Sequence, residues 1–288
     1  MRKFSKDSFN ITEAINELMQ ESGVIVIENA YNLNDIKEAR EIINHFADTQ
    51  EQKETHFNAE AEASDKIKLQ QRIWNLFGKG EVFSKLITNE IIFSLMSKLL
   101  GSEFFCGSYC ASRLLPGSIG QELHIDYPYW DFYNSETFPM GLNSSFAQNC
   151  QATIPLDICS EQSGATAYIP GSQKKLHYPN ENDDFSDKQQ MIANPGDLVF
   201  FNGNCWHGAS PNKSNHQRAA LLIEFLPKYI KPVEDSSLPL AKGTLLGGKV
   251  ANNFPSLKSM KIQQESTNVL CQFPGDLCQG RSANSFAD

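Results

Sequence analysis

The chain has 288 residues, with 25 Lys+Arg against 34 Asp+Glu and a formal net charge of −9. That balance argues against nucleic acid or an anionic membrane as the main partner. At 40% apolar and 10% aromatic residues the composition is globular, with enough length to bury a core without disulfide staples.

Asp7, Glu13 and Glu17 interrupt the N-terminus, which has no apolar stretch typical of a signal peptide. No apolar run approaches the roughly 20 residues of a spanning helix. The seven cysteines, at 106, 110, 150, 159, 205, 271 and 278, form no CxxC pair. Reduced thiols in a cytoplasmic protein are the expectation. Residues 11–21 read as a helix, with Ile11, Ala14, Ile15, Leu18 and Met19 on one face and Gly23 beyond its end. Val24–Ile27 reads as a short strand. Asn34 or Asp35 caps a second helix carrying Ile36, Ala39, Ile42, Ile43 and Phe46 at helical spacing. Residues 48–68 are charged and polar and read as a mobile loop or lid. A third helix spans 81–100, with Ile87, Ile91, Leu95, Leu99 and Leu100 on its face, and Gly101 stops it.

From 104 the pattern changes. Short apolar or alternating stretches cover 104–115, 121–127, 146–158, 165–169, 197–201 and 218–226. Pro116-Gly117, Pro170-Gly171 and Pro195-Gly196-Asp197 punctuate them. Such spacing predicts a mainly β fold, a sandwich or jelly roll, with flanking helices packed outside it. After Pro227 the strand signal fades. The chain thus reads as one catalytic domain over 1–288: a mostly helical lead-in over 1–103, a jelly-roll core over 104–228 and an irregular C-terminal wrap over 229–288.

The chemistry begins at Gln121-Glu122-Leu123-His124-Ile125-Asp126-Tyr127. Residues i and i+2 of a strand share a face, so His124 and Asp126 project together and can share one metal ion. A strand and loop over Gly196–Phe201 and Trp206-His207-Gly208 present a second histidine, 81 residues past Asp126. Arg218 heads the apolar strand Ala219–Phe225; buried without a partner it would be costly. Its plain structural role would be a salt bridge to Glu224 or Asp197. Two histidines and a carboxylate match the facial triad that holds non-haem Fe(II) with open coordination positions.

These residues, with Ser163-Gly164-Ala165-Thr166, Ile169-Pro170-Gly171-Ser172 and Pro195-Gly196-Asp197, resemble the phytanoyl-CoA dioxygenase family. The similarity covers roughly 10–226 and departs from the common pattern at Gln173, where the family usually has histidine. The resemblance implies a double-stranded β-helix (jelly roll, cupin-like). It also implies a reaction that uses Fe(II), 2-oxoglutarate and O2 and releases succinate and CO2. In that reading His124, Asp126 and His207 bind iron, and Arg218 grips the C5 carboxylate of 2-oxoglutarate. Gln121 and Arg72 resemble positions that reach the co-substrate. Strict alternation turns Gln121 away from His124 and Asp126, so that role needs a bulge or a strand start. Tyr127, Trp130 and Trp206 either wall a substrate pocket or pack the core. His45, His56, His177 and His216 lack partners at metal spacing.

Hydroxylation of an unactivated C–H of a small molecule is the expected activity. Desaturation, epoxidation and ring closure use the same centre. Asp126 disfavours halogenation, because halogenating relatives replace the carboxylate with a small residue. The rivals are a non-catalytic ligand- or metal-binding jelly roll and a zinc or manganese enzyme of cupin type. No acyl-carrier site is visible, which leaves a small metabolite, such as a natural-product intermediate or an amine, as the substrate.

Overall fold

A computed structural model describes residues 1–50, 69–126, 136 and 145–230. The residues 127–130, 51–68 and 231–288, on which the expectations for Tyr127, Trp130, most of the lid and nearly all of the wrap fall, lie outside the described residues. No helix among the described residues is long and apolar enough to cross a membrane.

Two sheets make the framework. The larger has seven strands in the order β1-β2-β8-β5-β10-β4-β3, and the smaller has three in the order β7-β6-β9. In chain order the strands are β1 (Arg2–Ser5), β2 (Val24–Glu28), β3 (Gln70–Ile73), β4 (Phe105–Leu114), β5 (Cys150–Pro155), β6 (Thr166–Tyr168), β7 (Gln189–Gln190), β8 (Leu198–Asn202), β9 (His207–Ala209) and β10 (Arg218–Leu226). Together they form a jelly roll, as the turn spacing predicts. The lead-in is less purely helical than its pattern suggests, because β1, β2 and β3 all join the larger sheet. Residues 24 to 27 of β2 are wholly buried on both faces. Ile25 and Ile27 enter the main core, while Val24 and Val26 pack with Tyr168, Val199 and Phe201 in a second cluster.

Among the described residues, four α-helices cover the outer side: α1 (Ile11–Gln20), α2 (Leu33–Thr49), α3 (Glu81–Ile87) and α4 (Glu90–Leu99). Their ends follow the side chains. Asn10, Asn32 and Asn89 each accept a hydrogen bond from a first-turn backbone N–H. The single helix expected over 81–100 is broken into α3 and α4. Thr88 Oγ1 donates to the carbonyls of Ser84 and Lys85, and Asn89 caps the next helix 2.9 Å from Ile91 N. Such local side-chain bonds compete with helix continuation.

The expected strand at 121–127 is also different. Over its described residues 121–126, only His124 pairs, in an isolated antiparallel bridge to His207. The segment is pinned one residue at a time: Gln121 N donates to Ala209 O, His124 N to His207 O and Asp126 N to Gly203 O. It can lie this close because residue 208 is glycine. A Cβ there would sit 2.6 Å from Glu122 O and 2.7 Å from Gln121 O.

The register of the larger sheet sets the floor of the pocket. Phe201, Gln151, Glu224 and Ser108 form one row across β8, β5, β10 and β4. Val199, Thr153, Leu222 and Cys110 form the next, and Arg218 lies across from Leu114 at the far end. With a side-chain period of two, Arg218, Leu222 and Glu224 share a face. All three line the same cavity.

Candidate metal centre

His124, Asp126 and His207 converge although 81 residues separate the last two. One ligand atom from each can be chosen so that all lie within 4.8 Å of one another. His207 Nε2 is 3.2 Å from Asp126 Oδ2, and His124 Nε2 is 3.7 Å from Asp126 Oδ1. The two imidazole rings are 4.5 Å apart, centre to centre.

The opposite nitrogens are already committed. His124 Nδ1 is 2.7 Å from Glu122 O, and His207 Nδ1 is 2.8 Å from Cys205 O. A carbonyl only accepts, so each Nδ1 carries a proton and each Nε2 is the atom that faces the cluster, free to bind a metal once unprotonated. This donor set, two oriented imidazoles and one carboxylate, fits Fe(II).

Charge agrees with that arrangement. Burial, helped by neighbouring His207, pulls the pKa of His124 down to about 4, so the ring is neutral near pH 7. Burial acts to raise the Asp126 carboxyl, but His207, His124 and Arg72 outweigh it and hold the group below its ordinary range. For His207, burial acts downward, but the charge and hydrogen bond of Asp126 prevail and raise it. A bound divalent cation would replace that proton as partner of the carboxylate.

Support comes from the Ile169-Pro170-Gly171-Ser172 turn. Ser172 Oγ donates to Ile169 O at 2.6 Å and accepts from Trp206 N at 2.8 Å, which fixes the loop just before His207. Gln173 also faces inward, its Nε2 donating to Glu21 O at 3.2 Å. Phe201 packs on His207 with ring centres 4.6 Å apart.

A cavity of about 180 Å³ opens over this cluster, between the two sheets. Arg218 reaches it from the start of β10. It is 4% exposed, one Nη donates to Gly164 O, and its Nε is buried with no hydrogen-bond partner. Neither carboxylate considered in the sequence engages it. Asp197 instead accepts from the backbone of Asn29 and Asn194, and Glu224 accepts from Gln151. Burial draws the guanidinium below its usual range, yet it remains a cation. A buried cation with an unused donor suits an anionic carboxylate. Next to it, Asp157 holds the strand start: it accepts from Ala219 N at 2.9 Å and pairs with Arg40 at 2.7 Å.

Gln121 and Arg72 both line the cavity. Arg72 lies on β3, 3.6 Å from Cys110 Sγ and stacked near Trp74. The alternation argument against Gln121 does not apply, because 121–126 is not a regular strand. Trp206 is placed elsewhere. It is wholly buried with Ile125 and Ile169, its indole N–H bonded to His177 O at 2.9 Å, and it does not line the cavity. Trp74, Phe201, Gln151 and Glu224 do line it, a place the sequence did not assign them. Only the strand register would have revealed them.

A jelly roll carrying a two-histidine, one-carboxylate cluster beside a buried arginine defines a class, the 2-oxoglutarate-dependent non-haem iron oxygenases. The chain belongs to the phytanoyl-CoA dioxygenase (PhyH) family, whose model matches residues 19–220. Among relatives, it is 24% identical over 227 residues to the dioxygenase trt7 of Aspergillus terreus, covering 75% of this chain and 73% of that protein. It is 25% identical over 237 residues to the Fe(II)/2-oxoglutarate-dependent dioxygenase nvfF of Aspergillus novofumigatus, covering 77% and 74%. Of solved structures, the non-haem α-ketoglutarate-dependent epimerase SnoN from nogalamycin biosynthesis superposes with a TM-score of 0.58 at 13% identity, over 76% of this chain and 83% of that one. HygX from Streptomyces hygroscopicus, with nickel, 2-oxoglutarate and hygromycin B bound, superposes at 0.54 and 14% identity, over 73% and 85%.

Proposed function

We propose that this dioxygenase hydroxylates an unactivated C–H of a small metabolite, with His124, Asp126 and His207 as the iron ligands and Arg218 as the 2-oxoglutarate anchor. The observation that carries the assignment is the pairing of two pre-oriented Nε2 atoms and a carboxylate with a buried arginine on one cavity. Iron, when bound, couples the decarboxylation of 2-oxoglutarate by O2 to substrate oxidation, so that R–H becomes R–OH as succinate and CO2 leave.

The protein's part is placement. Glu122 O and Cys205 O hold the imidazole protons away from the metal side. Arg218, held by Gly164 O, brings its guanidinium to the cavity wall, where it would meet the C5 carboxylate, and Arg72 and Gln121 border the same space. Phe201 and Trp74 give the cavity wall aromatic surface. The lead-in belongs to the same catalytic unit, since β1–β3 are hydrogen-bonded into the sheet that forms the floor. The relatives' dioxygenase activity and the natural-product ligands nogalamycin and hygromycin B of the structural neighbours support a small-molecule substrate.

Succinate release from 2-oxoglutarate with Fe(II) and ascorbate tests the reading. His124→Ala is expected to abolish it, and Arg218→Met to raise the KM for 2-oxoglutarate by roughly 30-fold or more, as loss of a buried charge partner does. Equal turnover in wild type and His124→Ala would sink it. Mass analysis of the product separates hydroxylation (+16) from desaturation (−2).

A further inference from the structure

Arg218 reaches the cavity from the end of a ladder. β10 pairs regularly with β5 from Phe225 to Ala220, and Ala220 lies across from Pro155, the last residue of β5. Beyond that pair a side chain takes part. Leu156 N and Asp157 N both donate to Ala219 O, at 3.0 and 3.1 Å, while Ala219 N donates to the Asp157 carboxylate, at Oδ2, over 2.9 Å. Both backbone groups of the residue after Arg218 are thus held by residues 156 and 157. The other carboxylate oxygen, Oδ1, pairs with Arg40 Nε of α2 at 2.7 Å.

The same helix holds the residue before Arg218. Arg40 and Asn44 stand one helical turn apart on α2 and share a face. Gln217 Nε2 donates to Asn44 Oδ1 at 2.8 Å, and Gln217 Oε1 accepts from Arg113 at 3.4 Å. Alternation puts Gln217 and Ala219 on the helix side of the sheet and Arg218 on the cavity side. Ala219 accordingly belongs to the main core with Ala39 and Ile43 of α2, and Arg218 lines the cavity. The guanidinium is bonded to Gly164 O and leaves Nε open, so its aim depends on where the backbone of residue 218 is set. Burial works against its charge, and Asp157, with Cys159, works the other way.

We propose that Asp157 is a positioning residue for the 2-oxoglutarate anchor, and that α2, through Arg40 and Asn44, clamps the backbone on both sides of Arg218. Asp157 does not line the cavity, so its effect on the co-substrate passes through Arg218. Pairing of a guanidinium with a carboxylate is bidentate and geometrically strict, so a loosened strand end weakens the grip on the C5 carboxylate. The inference rests on reading this cavity as the dioxygenase site.

Binding rather than turnover reads the effect. Calorimetry on the full chain loaded with Mn(II) compares 2-oxoglutarate with 2-oxopentanoate, which has a methyl group in place of the C5 carboxylate. Wild type is expected to prefer 2-oxoglutarate by about 30-fold or more, and Arg218→Met to erase that preference. Asp157→Ala is expected to cut it about tenfold by weakening 2-oxoglutarate alone, with 2-oxopentanoate within about twofold of wild type. Asp157→Asn keeps an acceptor for Ala219 N and is expected to stay within about threefold of wild type. In the Arg218→Met background Asp157→Ala is expected to add nothing. The proposal is overturned by an unchanged preference in Asp157→Ala, by equal weakening of both acids, by an Asp157→Asn as damaging as the alanine, or by additivity with Arg218→Met. Should Asp157→Ala not fold, Arg40→Ala, at a half-exposed position, takes its place. A preference lowered about threefold or more by it supports the proposal, and a smaller change counts against it. A wild type without preference, or one whose preference survives Arg218→Met, defeats the dioxygenase reading itself and the proposal with it.

Discussion

The two metal-ligand histidines differ in proton content before a metal arrives. His124 is held neutral, its pKa at about 4, by burial and by His207. His207 is raised above its ordinary 6.5, because Asp126 outweighs burial. The signs fix the pH response. A raised histidine stabilises the fold below its unfolded pKa and loses that contribution as pH climbs through the folded value. The depressed Asp126 contributes above its unfolded pKa and loses it as pH falls. The metal-free pair therefore stabilises most between the unfolded values of 3.8 and 6.5, and buried neutral His124 opposes it throughout that window, increasingly as pH falls from 6.5 toward 4. Metal competes with the His207 proton. At pH 6.5, Mn(II) binding is expected to release between about a half and one proton, all from His207. Calorimetry in buffers of different ionisation enthalpy measures the number. A release near two protons would mean that His124 is charged as well. These ligands were legible in the sequence because an i, i+2 pair and a distal histidine each need only local pattern. Gln151, Phe201 and Glu224 were not, since nothing within their own strands marks which neighbours they meet.

Elements show where local rules gave way. β10 spans Arg218–Leu226, as its apolar run predicts, and β2 falls on Val24–Ile27 with one residue more. β1 and β3 escaped notice because Arg2–Ser5 and Gln70–Ile73 are short and mostly polar, and pairing with β2 and β4 stabilises them. The segment 121–126 looked like a strand, but its partner β9 has only three residues. It is held by four backbone bonds, two of them the reciprocal pair between His124 and His207, and by the missing side chain at Gly208. Gly208→Ala forces a methyl against two backbone oxygens, which cannot swing aside. We expect a loss of roughly 1–3 kcal/mol and a weakened metal site. Gly78→Ala, whose methyl would meet nothing closer than 3.4 Å, serves as control. Urea melts and Mn(II) titration of both variants give the comparison, and equal effects would refute the close-approach argument.

At the scale of the whole molecule, β2 is the joint. It is buried on both faces, sends alternate side chains into two cores, and covers the edge of β8 by antiparallel pairing. Removing residues 1–8 takes away β1, which buries little besides Phe4, and is expected to lower Tm while leaving a folded chain. Removing residues 1–29 uncovers β8, whose five residues are all buried, and exposes a long apolar edge. That truncation is expected to aggregate, which size-exclusion chromatography and light scattering will report. A well-folded product would show that the lead-in strands are ornaments on the sheet. β4 carries one extra residue, Gly107, bulged between the Glu224–Ser108 and Phe225–Cys106 pairs. It lies beyond Ser108, toward the start of β4, while the pairing from Ser108 to Leu114 against β10 runs without a shift to Arg218. A change of length at the bulge would re-register only Phe225 and Leu226 against β4. The anchor for 2-oxoglutarate would stay where it is. One strand thus absorbs a change of length at one end while its pairing around the cavity stays fixed, which insulates the oxidative centre from variation at the start of β4.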